Sequence, residues 1–225
     1  GHFQAVGLLH TEKARLLFLQ GKTEAARQHF FDNEAAITAS LTTENQAVIG
    51  QIASQAILTD FHLRAEAWDD AIKSAEILAG LIANAQTLSF MFATEASAPI
   101  RLYLTLWEKQ GASYRQPAES AFKLFHRKYT RHFAIGRPVE SMYRCWYHWL
   151  NGSEKEARKA GAQAIREAQL YKMPFYEALA HYHLGRFMAK SDPERAPHLE
   201  TAIRLFDELG AAYNAESARQ DKEAQ

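Results

Sequence analysis

The stretch Pro174–Ala211, PFYEALAHYHLGRFMAKSDPERAPHLETAIRLFDELGA, reads as two helices folded back on one another, and it sets the pattern for the rest of the chain. In its first half Leu179, Tyr182, Gly185 and Met188 recur at helical spacing, with Pro174 where a first-turn proline is tolerated. In its second half Asp192 is expected to N-cap a helix with Pro193 at the first helical position. Leu199, Ala202, Ile203, Phe206 and Leu209 then form an apolar stripe ending at Gly210. A single hairpin cannot bury both of its apolar faces, so this one predicts neighbours of the same kind.

Upstream the same grammar repeats in looser form. The 6 prolines and 11 glycines fall mostly between helical patterns, and no stretch alternates β-branched with polar residues, so the chain reads as all-α. Five antiparallel pairs are expected over 3–40, 44–84, 88–131, 138–171 and 174–210, with 211–225 as a polar capping helix, all in one domain. Gly21 breaks the first pair, with Thr23 as a cap and Ala26, Phe30 and Ile37 turned inward. Ala67-Trp68-Asp69-Asp70 marks the second turn, where two acids suit a helix start. Pro99 is expected to kink or start a helix, and a loop over Gly111 to Gln116 precedes Pro117. Asn151-Gly152 turns the fourth pair, and Ser153-Glu154-Lys155-Glu156 resembles a capping box. Equivalent small residues of the second helices, Ala26, Ala71, Ala121, Ala157 and Ala202, stand 45, 50, 36 and 45 residues apart, an irregular period.

Composition narrows the function classes. A chain of 225 residues with 47% apolar content has ample core, and 26 basic against 26 acidic residues leave no global field for nucleic acid or an anionic membrane. Cys145 is the single cysteine, which excludes an internal disulfide and fits a reducing, cytoplasmic compartment. The apolar run from Ile77 to Ala85 is too short for a membrane span and lies on an amphipathic helix. The opening Gly1-His2 in place of methionine suggests a piece of a longer protein.

Two short blocks carry a family resemblance. His181-Tyr182-His183-Leu184-Gly185-Arg186 resembles the W-Y-N-L-G-N core of a tetratricopeptide first helix, and Asn151-Gly152-Ser153-Glu154-Lys155-Glu156-Ala157 resembles its G-D-Y-D-E-A turn. The period here is longer than the roughly 34 residues of that repeat. The resemblance implies a right-handed superhelix of helix pairs, a TPR-like α-solenoid. More narrowly, Asp192-Pro193-Glu194-Arg195, His198-Leu199 and the run Ala202 to Ala211 look like the C-terminal repeats of large bacterial AAA/STAND ATPase signalling proteins. Their ATPase, cyclase, kinase and DNA-binding domains have no counterpart here, since no G-x-x-x-x-G-K-[ST] loop is present.

In a tetratricopeptide array the first helices line the concave face, with positions 2, 5, 9 and 12 turned into it. Counting from the small residue at position 8 (Ala14, Thr59, Leu104, Cys145 and Gly185), the resemblance places Thr11, Arg15, Phe18, Asp60, Leu63, Arg101, Thr105, Glu108, Met142, Trp146, Trp149, Tyr182 and Arg186 there. Arg101 and Arg186 would offer guanidinium forks to a carboxylate or phosphate, and Trp146 and Trp149 flat apolar anchors. The competing reading is that the tryptophans are inter-repeat core and the arginines ordinary surface ion pairs.

The segment Lys123 to Arg144 is locally basic, with Phe125, Tyr129, Phe133 and Tyr143 interleaved, a pattern open to a nucleic-acid surface or to a solvated helix face over core aromatics. Ten histidines include no H-E-x-x-H; His181 and His183, two apart, face different ways, and no metal site or cofactor is expected. Cys145 fits a buried, inert thiol. No nucleophile, base and oxyanion set can be assembled, so the expected role is non-catalytic. The expected partner is a protein or peptide, or another domain of the parent chain. The alternatives are homo-oligomerisation and nucleic-acid binding through 123–144.

Overall fold

The computed structural model describes residues 2–39, 44–86 and 88–224; the expected first-pair end at Ser40 and the chain ends at Gly1 and Gln225 lie outside them. Helices account for all the regular structure, and no strand occurs among the described residues. The chain forms two compact units, Gly1–Phe18 with Lys22–His132 and Leu19–Gly21 with Phe133–Gln225.

The first unit holds α1 (His2–Leu19), α2 (Thr23–Asp32), α3 (Glu34–Ala39), α4 (Glu44–Arg64), α5 (Trp68–Asn84), α6 (Ala93–Gln110) and α7 (Arg115–Phe125). Helix α4 folds back as α5, α6 lies on both, and α7 covers α6 and touches α5. Ala14, Phe18, Ala26, Phe30, Ile37, Ile57 and Phe61 make one buried cluster, in which Phe18 and Phe30 meet the Phe61 ring edge-on at 5.4 and 5.8 Å.

The second unit holds α8 (Gly136–Leu150), α9 (Glu154–Leu170), α10 (Pro174–Phe187), α11 (Arg195–Glu208) and α12 (Ala212–Glu223). Each helix packs on the next, and α8 also touches α10. The helix thus enters at Pro174 as expected, and it leaves α11 through Gly210 at φ 67°, where the Ala211 N–H reaches back to the Phe206 carbonyl.

Ala14, Thr59, Leu104, Cys145 and Gly185 are all buried, as are Ala26, Ala71, Ala121, Ala157 and Ala202. At Gly185 the absent side chain lets α11 approach closely.

Local signals fared less well. Asp192 does not cap α11: its Oδ1 accepts the Glu194 N–H at 2.8 Å in a tight turn, and the helix starts later, at Arg195. Thr23 is the first residue of α2 and Lys22 holds the cap position; Ser153 sits at the cap of α9, but its hydroxyl makes no capping bond. Helix α6 runs through Pro99 without ending or starting there. Asn33 divides the second helix of the first pair, its Nδ2 donating to the His29 carbonyl. Leu209, expected inside, is exposed. The five residues His126–Thr130 continue α7 as a π-helical turn, a feature with no sequence signature.

Two glycines of the second unit show how close the packing is. A Cβ on Gly161 would lie 2.5 Å from Leu184 Cγ, and one on Gly185 would lie 2.7 Å from Leu199 Cγ and 3.1 Å from the Arg195 carbonyl. Gly185→Ala is therefore expected to cost about 1–3 kcal/mol by overpacking. Gly80, in α5 with nothing within 4 Å of its Cβ position, should instead gain about 0.5–1 kcal/mol as alanine. Denaturant melts of the two variants check both signs; equal effects would remove the packing argument.

Candidate functional site

In the second unit, α8 and α10 bring four of the sequence-selected side chains together. Trp146 stacks on His183 at 4.7 Å, and the Arg186 guanidinium lies 4.8 Å from the Trp146 ring, 5.3 Å from Tyr182 and 4.3 Å from Phe187. Trp149, one turn along α8, stacks on Phe187 at 6.0 Å, with Arg158 of α9 at 5.9 Å from its ring. The Tyr182 hydroxyl accepts from Arg186 Nη1 at 3.4 Å and donates to Asp221 of α12 at 2.7 Å. The spacing explains the assembly: Tyr182 and Arg186 are one turn apart on α10, and Trp146 and Trp149 likewise on α8. Met142 and Trp146 are buried, so these two are core-facing and not part of an open surface, because α10 covers that side of α8. Trp149, Tyr182 and Arg186 remain partly exposed. Ring faces hold the Arg186 guanidinium beside partly exposed aromatic side chains, the pairing of charge and flat apolar surface that recognises carboxylates.

Burial sets the electrostatics beneath it. His183 is pushed well below the ordinary histidine range by desolvation, with Arg186 adding repulsion, and its buried Nδ1 has no partner among the described residues. His181 is lowered to about 4, by burial first and by His198 next; the two Nδ1 atoms lie 2.8 Å apart, so one ring N–H donates to the other ring. Burial raises the Cys145 thiol to about 12, which keeps it protonated.

In the first unit the expected groove residues are tied to one another. Arg101 of α6 is ion-paired with Asp60 of α4, and Arg15 of α1 with Glu95 of α6 and, at 3.1 Å, with Glu12. Arg101 and Arg15 thus each meet a carboxylate of their own chain, and Asp60 meets a guanidinium. Thr105 donates to the Arg101 carbonyl at 2.9 Å, and Glu108 is exposed. Thr11 and Phe18 are buried, Thr11 donating to the Gly7 carbonyl and Phe18 lying under Arg64 at 3.3 Å. Leu63 packs on the α5 and α6 cluster.

Sequence reasoning missed Glu95, His183, Phe187 and Asp221. The pairing of Asp60 with Arg101 had a signal, opposite charges at positions 9 and 5 of successive first helices; Glu95 had none, lying outside those positions. Within 123–144, Phe125, Tyr129 and Tyr143 are buried and Arg144 pairs with Glu140, so these aromatics serve the core. Among the described residues, no group of three or more His, Cys, Asp or Glu side chains is placed to hold a metal ion, and no helix is long and apolar enough to cross a membrane. Neither protein-family models nor curated proteins nor solved structures give a match to this chain.

Two outcomes follow from this geometry. His181 and His183 stay neutral in the native state while their unfolded counterparts take up protons near 6.5, so stability falls as pH drops from about 6.5 toward about 4. A melting series at pH 7, 6, 5 and 4 should be steeper for the native chain than for His181→Gln; parallel curves would contradict it. For Asp60 and Arg101, a double-mutant cycle to Asn and Met should return about 1–2 kcal/mol of coupling, since both are mostly shielded from solvent. Zero coupling would mean a solvent-screened contact.

Proposed function

We propose that this chain is a non-catalytic recognition module, a right-handed superhelical array of tetratricopeptide-like pairs that serves as the regulatory arm of a larger cytoplasmic bacterial signalling protein of the AAA/STAND kind. Its ligand is a protein or peptide segment bound along the first helices. One observation carries this reading: two successive first helices, α8 and α10, join Trp146, Trp149, Tyr182 and Arg186 in one cluster, from repeat positions 5, 9 and 12. The partly exposed Trp149 and Tyr182 beside Arg186, held from beneath by Trp146, suit a carboxylate-bearing peptide with an apolar neighbour. Binding that favours one packing of the pairs over another would pass to an attached domain as a shift in its populations.

Self-association is the second reading, favoured by the consecutive exposed side chains Phe90 and Met91 in the turn before α6. Light scattering over a concentration series tests it, a constant monomer mass counting against it. For the first reading, an array of acidic peptides ending in free carboxylates is probed with the native chain and with Arg186→Ala. Binding that the variant loses by about tenfold or more, with an unchanged helical spectrum, is expected. Native and variant chains that bind alike, or a blank array, would remove the site.

A further inference from the structure

We propose that the Glu95 carboxylate of the first unit receives a primary ammonium group, of the kind a lysine side chain or a free alkylamine carries. This goes beyond the carboxylate-binding reading of the second unit and uses none of its residues.

Glu12, Asp60 and Glu95 face Arg15 and Arg101, three carboxylates to two guanidiniums, and Arg15 sits within electrostatic reach of all three acids. Three carboxylates within reach of Arg15 make a setting that favours a cation. Burial then singles out one member. The Glu95 side chain is 3% exposed, its Oε1 paired with Arg15, and its Oε2 is buried with no partner among the described residues. An unmatched carboxylate oxygen in that setting carries a desolvation penalty that an added donor relieves.

Two features of α6 keep Glu95 an acceptor. It is the third residue of the helix, where the N-terminal dipole favours a carboxylate. Four residues on stands Pro99, which has no N–H to give the Glu95 carbonyl, so both backbone and side chain of one residue are short of donors. The setting also feels the surplus. Glu12, half-exposed at the edge of the cluster, has its carboxyl raised by burial, with Arg15 opposing and Glu95 adding to the rise, and the buried Tyr129 hydroxyl is raised by burial and by Glu95. An ammonium fits better than a guanidinium here. The planar donors of Arg15 and Arg101 are already in place, and what remains is a point acceptor for a compact cation.

The test is an NMR titration of the folded chain with n-butylammonium, N-acetyl-lysine methylamide and spermidine. Tetramethylammonium, which has no N–H, is the control. Saturable amide shifts confined to residues 12–15 and 93–97 are expected for the N–H donors and not for the control; the tighter of the lysine derivative and spermidine tells a peptide source from a free amine. Glu95→Gln should weaken binding about 10- to 100-fold, the loss of one charge-assisted hydrogen bond. If that variant does not melt cooperatively, Glu12→Gln decides, with about a threefold loss expected from a weaker field and unchanged affinity counting against the site. No saturation, equal shifts from tetramethylammonium, or full affinity in Glu95→Gln would each overturn the proposal. Arg186→Ala should leave ammonium binding untouched, so failure of one site is read separately from failure of the other.

Discussion

Between α9 and α10, and again between α10 and α11, there is no room for a methyl group. Gly161 lies under Leu184 and Gly185 under Leu199, at distances where any Cβ forces a neighbour to move. Helix α10 is thereby held from both sides at the level of its backbone, which fixes its rotation as well as its depth. The residues flanking those contacts on α10 are His183 and Arg186, which reach Trp146 of α8. A change of one methyl at Gly185 would be felt as a turn of the helix that carries them. Packing at two small residues and the geometry of the aromatic cluster are therefore one constraint seen from two sides.

That constraint explains what was legible in the sequence. The 3.6-residue periodicity and the recurrence of small side chains report where backbones must approach, and every residue chosen as a close-packing position is buried. Helix bounds followed for the same reason, α5 at Trp68–Asn84 and α8 ending at Leu150 among them. Caps were not legible, because a short polar side chain has several local backbone partners to choose from. Asp192 uses its carboxylate on the Glu194 N–H and on Arg158, and so leaves the α11 terminus to Glu194.

The depth of burial was not legible either. The tetratricopeptide resemblance places Met142 and Trp146 on the open face of α8, but both are buried, with Trp146 stacked on His183 of α10. Glu95 shows the complementary failure. Its partner Arg15 is 80 residues away, and no local pattern announces the pair.

Arg15 and Arg101 of the first unit and Arg186 of the second are stabilised by different physics. In the first, carboxylates at close range neutralise Arg15 and Arg101, and each ion pair consumes N–H donors as it does so. In the second, ring faces stabilise Arg186 through their quadrupoles, an interaction that consumes none of the five donors of a guanidinium. Tyr182 adds one acceptor and is itself anchored by Asp221, so its hydroxyl position is set from α12 rather than by the arginine.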